Sequence, residues 1–371
     1  MAAPRHRPSP RAKGSTMTHG WQQDVLGPDW VARTLDLPGG DTATLVRKAT
    51  SPVPDGAAPD PGQLAAAPAA RASATHAAHA AHTDGATTPG GERRRRAVLY
   101  VHGFVDYFFQ THLGDAFEEH GYAFYAIDLR GYGRSLAHWT EDGKDPNMID
   151  DLSLYAQDLD AAAAVIRAEG HDELVVVGHS TGGLVTSLWA NARPGKVAAL
   201  VLNSPWFDLN SSWFDRVIST RVIDVVGRFA PRLVVGSLDD AYGQALHSGT
   251  GGEWTYELGW KPHEGFPARA GWAREIRRGH AQIARGLHVQ CPVLVLTSAR
   301  SGPNKGWHPE VVTTDSVLDV QHIKDRAPGL GDDVTLVEIE GGAHDLVLSP
   351  EPARTAFLTE VFAWLDERLP A

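Results

Sequence analysis

The sequence predicts an α/β fold: a mostly parallel central sheet with helices on both faces and an inserted cap. Three observations carry this. Short apolar runs such as AVLYVHG (97–103), ELVVVG (173–178) and PVLVLTSA (292–299) read as strands buried on both sides. Stretches with helical spacing separate them. One long interval, residues 206–285, breaks that rhythm and is rich in tryptophan.

The elements follow in order. Residues 1–20 are basic and proline-rich without an apolar centre, so they predict a disordered N-terminus rather than a secretory signal. Residues 30–48 predict two strands around the turn Pro38-Gly39-Gly40-Asp41. Residues 51–96 predict a flexible low-complexity insertion. Up to residue 92 they are mostly Ala, Pro, Gly, Thr, Asp and His, which bury too little apolar surface to offset the entropy of ordering. His76, His79 and His82 recur there every third residue, but their alanine-rich surroundings supply no second shell for a metal site. The run Arg93 to Arg96 is read as a solvated approach to the next strand. Residues 97–103 predict a strand, 104–121 contain a helix and 123–129 form another strand. Leu152, Tyr155, Leu159, Ala162 and Ile166 mark an amphipathic helix. A strand (173–178), a helix (181–192) and a strand (197–205) follow, then the 206–285 interval. Trp206, Trp213, Trp254, Trp260 and Trp272 lie in that interval, most as filling and one or two as pocket wall. Strands at 292–299 and 334–341 and a helix through Phe357, Val361, Trp364 and Leu365 close the chain. Residues 21–205 and 286–371 are thus expected to form the core, and 206–285 the cap.

Composition narrows the function. The 371 residues carry a formal charge of −11, which disfavours nucleic acid, because phosphate binding needs clustered Lys and Arg. No apolar run reaches the ~20 residues of a transmembrane helix, which points to a cytoplasmic protein. The single cysteine, Cys291, builds neither a disulfide framework nor a cysteine zinc site, and reads as a small buried hydrophobe.

One stretch carries chemistry. Gly178-His179-Ser180-Thr181-Gly182 puts a serine between glycines where a strand hands over to a helix. A sharp turn there forces Ser180 into a strained conformation with its hydroxyl above the sheet, and a Cβ on the flanking glycines would collide with the neighbouring strand and helix. Serine alone is a poor nucleophile and needs a base and a group that orients the base. His344, after the last strand, occupies the base position. The acid belongs after strand 292–299, where the insertion RSGPNKGWHPEVVTT precedes Asp315 and Asp319. Asp315 is the first choice and Asp319 the alternative, the other serving as cap of the following helix. Two backbone N–H groups, of Thr181 and Phe104, are candidates for an oxyanion hole. His102 is read as structural.

The chain resembles the α/β-hydrolase superfamily. The resemblance rests on His102-Gly103-Phe104, Asp128-Leu129-Arg130-Gly131-Tyr132-Gly133-Arg134-Ser135, Gly178 to Gly182, Asp315-Ser316-Val317-Leu318 and Gly342-Ala343-His344. It covers roughly residues 30–50 and 97–370, and looks most like the monoacylglycerol lipase, lysophospholipase and serine aminopeptidase-like branch. It implies a serine hydrolase that cleaves a small or single-chain, lipid-like carboxylic ester through an acyl-enzyme, with no metal or organic cofactor. Acyl transfer, thioester cleavage or peptide cleavage by the same triad are the enzymatic alternatives. A hydrolase-fold binding protein is the non-enzymatic one. A serine in the nucleophile position argues against the dehalogenase and epoxide hydrolase variants, which use a carboxylate there.

Overall fold

The computed structural model of the protein describes residues 20–49, 95–209 and 220–370. The expectations for residues 1–19, for 51–94 with their histidines, and for Trp213 lie outside them. A nine-stranded sheet organises the chain. Its strands are β1 (Gln22–Asp24), β2 (Gly27–Asp36), β3 (Thr42–Lys48), β4 (Arg96–Val101), β5 (Ala123–Asp128), β6 (Glu173–His179), β7 (Ala199–Asn203), β10 (Val293–Ser298) and β11 (Val334–Ile339). A separate two-stranded ribbon, β8 (Val234–Gly236) with β9 (Ala268–Arg269), lies between β7 and β10 in the chain. The order across the large sheet is β1-β2-β3-β5-β4-β6-β7-β10-β11. Every pair from β5 to β11 is parallel, while β1, β2, β3 and β5 are antiparallel neighbours.

Strands β4, β5, β6, β7 and β10 are buried on both faces, so their sequences are almost unbroken apolar runs, while the edge strand β11 is partly exposed. Val175 and Val177 face one core cluster, with Phe117, Phe357 and Trp364, while Leu174 and Val176 face the other, with Leu159, Leu184 and Trp189. Burying one such side chain is worth ~1.5–3 kcal/mol, which explains why strand register is firmly set here. Helices Thr111–Glu119 and Ala353–Arg368 cover the first face, and Ser153–Ala168 and Thr181–Ala192 the second.

Between β7 and β10 the chain forms helices Thr220–Phe229, Asp240–Leu246 and Ala270–Ala284 in addition to the ribbon. The last of these buries Trp272, Ala273, Ile276 and Ile283 in the same apolar cluster as the sheet. It therefore fastens the interval to the core. Among the described residues no helix is long and apolar enough to cross a membrane.

Candidate active site

Strand β6 runs into Ser180 and helix Thr181–Ala192 with no intervening loop. Ser180 has φ 51° and ψ −116°, a combination that L-residues rarely adopt. The turn is over-determined. Ser180 N–H donates to Asn203 O at 3.0 Å, and Ser180 O accepts from Gly183 N–H (2.9 Å), Leu184 N–H (3.2 Å) and Trp206 N–H (3.0 Å). Glycine is required beside it. A Cβ on Gly178 would lie 2.4 Å from Thr186 Oγ1 and 2.8 Å from Gly182 O, and one on Gly182 2.3 Å from Val101 O.

His344 sits beyond β11, in a loop held from several directions. Ala343 N–H donates to Ser349 Oγ (2.9 Å), and Asp345 N–H to Tyr242 Oη (2.9 Å). Asn203 Nδ2 donates to Asp345 Oδ1 (2.7 Å), while Asn203 Oδ1 accepts from Leu346 N–H (3.2 Å). Asn203 ends β7, beside β6, so one side chain ties the histidine loop to the strand next to the serine. That role was absent from the sequence reading; the only trace is a polar residue closing the apolar run VAALVLN.

The insertion before Asp315 leaves the sheet after β10 and returns to its own start. Asp315 N–H donates to Arg300 O (3.0 Å), and Gly302 N–H donates to Asp315 O (2.8 Å). The loop is thus closed at its neck, and Asp315 stands where a residue directly after the strand would stand. Asp315 Oδ2 lies 3.0 Å from His344 Nδ1, and Ser180 Oγ lies 3.1 Å from His344 Nε2. All three side chains are buried. Asp319, by contrast, accepts from Gln321 N–H (3.0 Å) and caps helix Val320–Arg326.

Phe104 and Thr181, the two expected N–H donors, line the same cavity as Ser180 and His344, which has a volume of about 140 Å³. Neither N–H has a hydrogen-bond partner among the described residues. Trp206, Leu238, Tyr256, Trp272 and Leu318 give the cavity a mainly apolar wall. Of the interval's described tryptophans, Trp206 and Trp272 reach it. His102 is buried away from the reacting atoms, with Nδ1 donating to Gly103 O (2.7 Å) and Nε2 accepting from Leu129 N–H (3.1 Å). Burial holds it below the ordinary histidine pKa. Cys291 is half-buried beside β10, and burial pushes its thiol up to about 11.

A second polar group adjoins the triad. Oxygens of Asp106 and Asp345 and a ring nitrogen of His179 lie within 4.8 Å of one another. His179 Nδ1 donates to Asn203 O (3.2 Å), and burial holds the ring below the ordinary histidine pKa. Lys261 Nζ bonds Asp106 Oδ1 at 2.7 Å, so a protein ammonium already supplies a cation to this cluster. Asp106 and Lys261 were not singled out from sequence.

The family model for serine aminopeptidase, S33, matches residues 92–351. The chain belongs to that family. Proteins named as lipases are among those it is similar to. A monoacylglycerol lipase of Mycolicibacterium smegmatis is 30% identical over 148 residues, 39% of this chain and 49% of that protein. Lipase LipV of Mycobacterium tuberculosis is 40% identical over 95 residues, 25% of this chain and 31% of that one. The chain thus spans half or less of the length of these curated relatives. Among solved structures, the Paleococcus ferrophilus monoacylglycerol lipase superposes with a TM-score of 0.54 at 20% identity, covering 75% of this chain and 96% of that one. A soluble variant of the Saccharomyces cerevisiae monoglyceride lipase gives 0.55 at 17%, covering 76% and 90%. These likenesses establish the α/β-hydrolase fold for this member of the S33 family.

Proposed function

We propose that this S33-family chain is a serine hydrolase that cleaves a small or single-chain carboxylic ester through an acyl-enzyme. The observation that carries the reading is the hydrogen-bonded series Asp315–His344–Ser180, ending on a strained serine at the floor of a mainly apolar cavity. His344 Nδ1–H donates to Asp315, which fixes the tautomer and leaves the Nε2 lone pair facing Ser180. Ser180 Oγ attacks the ester carbonyl while His344 Nε2 takes its proton, and the carbonyl oxygen becomes an oxyanion between the N–H groups of Phe104 and Thr181. Collapse breaks the bond to the alcohol, which leaves with the proton from His344. Water then attacks the acyl-enzyme, giving up its proton to His344, and Ser180 recovers that proton as the acid is released.

The apolar wall supports an acyl chain as the substrate's larger part, in keeping with relatives named as lipases. Residues 206–285, which supply Trp206, Leu238, Tyr256 and Trp272 to that wall, act in this reading as the cap. Two measurements test it. A fluorophosphonate probe should label wild-type protein at Ser180 and leave Ser180→Ala unlabelled. A panel of p-nitrophenyl esters, monoacylglycerols, lysophospholipids and aminoacyl amides should show turnover of esters above amides. No labelling and no turnover would leave a hydrolase-fold binding protein; faster aminoacyl amide cleavage would make it a peptidase.

A further inference from the structure

The loop that carries Phe104 is held in an unusual way. Phe104 and Val105 form a turn, but among the described residues none of Phe104, Val105, Asp106 and Tyr107 makes a well-aligned backbone–backbone hydrogen bond. Val105 has φ 50°, a left-handed conformation costly for a β-branched residue. Beyond the turn at 104–105, the loop's own backbone does little to enforce that shape. The constraint comes from side chains reaching into one stretch of the interval between β7 and β10. The Phe104 ring stacks on Trp272 with centroids 4.1 Å apart. Tyr107 Oη accepts from Glu257 N–H at 2.7 Å, and its ring meets Trp260 edge-on at 5.1 Å. Phe109 packs on Tyr256 at 5.0 Å. At the centre, Lys261 Nζ bonds Asp106 Oδ1 at 2.7 Å, the carboxylate being 2% exposed. The Lys261 ammonium also lies 5.7 Å from the rings of both Phe109 and Tyr256.

We propose that Lys261 is a positioning residue, which through its ion pair with Asp106 fixes the 104–107 loop so that Phe104 N–H faces the developing oxyanion. Both charges of the pair are largely removed from water, so losing either one leaves the other buried and uncompensated. Oxyanion stabilisation demands a donor within tenths of an ångström of its place. Full catalytic power is therefore conditional on residues 256–272 being seated on the loop. The proposal rests on the serine-hydrolase reading of the same site.

The experiment measures kcat and KM on p-nitrophenyl butyrate for wild type, Lys261→Met, Lys261→Arg and the charge-free pair Lys261→Met/Asp106→Asn. A trifluoromethyl ketone, whose adduct with the serine carries an oxyanion, is titrated in parallel. Loss of an oxyanion donor costs about 10²–10³-fold in kcat, so a displaced one should cost about 10–10²-fold. That loss is expected in kcat for Lys261→Met, with KM changed less than about threefold and the ketone weakened by a similar factor, and Lys261→Arg should recover most of it. If Lys261→Met leaves Asp106 too poorly compensated to fold, the charge-free pair carries the test: it should melt near wild type yet keep the low kcat. Wild-type kcat and ketone affinity in the folded pair would overturn the proposal, as would a rise in KM alone, which would make Lys261 a substrate contact. A wild-type protein that neither turns over esters nor accepts a fluorophosphonate would fell the hydrolase reading itself, whereas an active wild type with indifferent variants fells only this inference.

Discussion

Replacing Asp315 by asparagine separates the acid's shape from its charge. Its two oxygens do different jobs. Oδ1 accepts from Val317 N–H at 3.0 Å and Leu318 N–H at 2.7 Å, while Oδ2 faces His344 Nδ1 at 3.0 Å. An asparagine in this buried slot must leave its carbonyl oxygen on the two N–H donors, because its amino group is itself a donor. The amino group then points at His344 Nδ1, which can only accept. The ring hydrogen moves to Nε2, facing Ser180 Oγ, and the lone pair that should take the serine proton is gone. Stabilisation of the imidazolium is lost as well. A change of this kind in a Ser-His-Asp enzyme costs ~10⁴-fold in kcat, or about 5 kcal/mol at 1.36 kcal/mol per decade. Even if the loop relaxes, the loss should be at least ~10²-fold. Asp319→Asn should cost less than ~10-fold, because asparagine caps a helix about as well as aspartate. The assay is kcat/KM for both variants on one activated ester, with melting temperatures to confirm folding. An Asp315→Asn enzyme above a tenth of wild type, or an Asp319→Asn enzyme that is the crippled one, would refute the assignment.

Three further outcomes follow from the same geometry. Ser180→Ala should lose ~10⁴–10⁶-fold in kcat with little change in melting temperature, since only the hydroxyl departs; residual turnover near wild type on the ester panel would remove Ser180 from the chemistry. Gly182→Ala should be among the most damaging small substitutions, because its Cβ would sit 2.3 Å from Val101 O and 2.4 Å from His102 O, both backbone atoms; overpacking costs ~1–3 kcal/mol or more, and an unchanged melting temperature would contradict it. His280 donates from Nε2 to Trp206 O at 3.0 Å, and burial pushes its pKa down to about 3. The unfolded chain therefore binds this proton first as pH falls below ~6.5, and stability present above that pH is lost toward pH 3, by roughly 2 kcal/mol at pH 5. His280→Gln should shrink the loss between pH 7 and pH 5 by about that amount in urea unfolding, and parallel pH profiles for the two proteins would rule it out.

What the sequence made legible was local. Strand β6, the elbow and helix Thr181–Ala192 are contiguous, and their apolar run, glycine spacing and helical period are written in one stretch of chain. The parallel strands inside the sheet, β4 to β7 and β10, were legible because burial on both faces leaves no polar alternation to confuse the period. Strand β1 was missed, being three residues at the sheet's edge with one buried side chain. Asn203, Asp106 and Lys261 were missed for another reason. Each acts across the chain: Lys261 meets Asp106 over 155 positions, and Asn203 meets Asp345 over 142. No periodicity encodes such pairs.

The choice between Asp315 and Asp319 shows where local reading stops. In sequence the two are alike, aspartates four residues apart ahead of a helix. Their local bonding is alike too: Asp315 Oδ1 accepts from the N–H groups two and three residues on, and Asp319 Oδ1 from the one two residues on. Either would be described as a cap. What distinguishes them is the oxygen left over. That of Asp315 is buried and meets His344, 29 positions later; Asp319 lies where solvent reaches its carboxylate, 4.0 Å from His322. A carboxylate can orient and charge-stabilise a histidine only when its field is not screened by water. That condition depends on how the 300–314 loop closes at Arg300 and Gly302, and so on tertiary structure rather than on the identity of the residue.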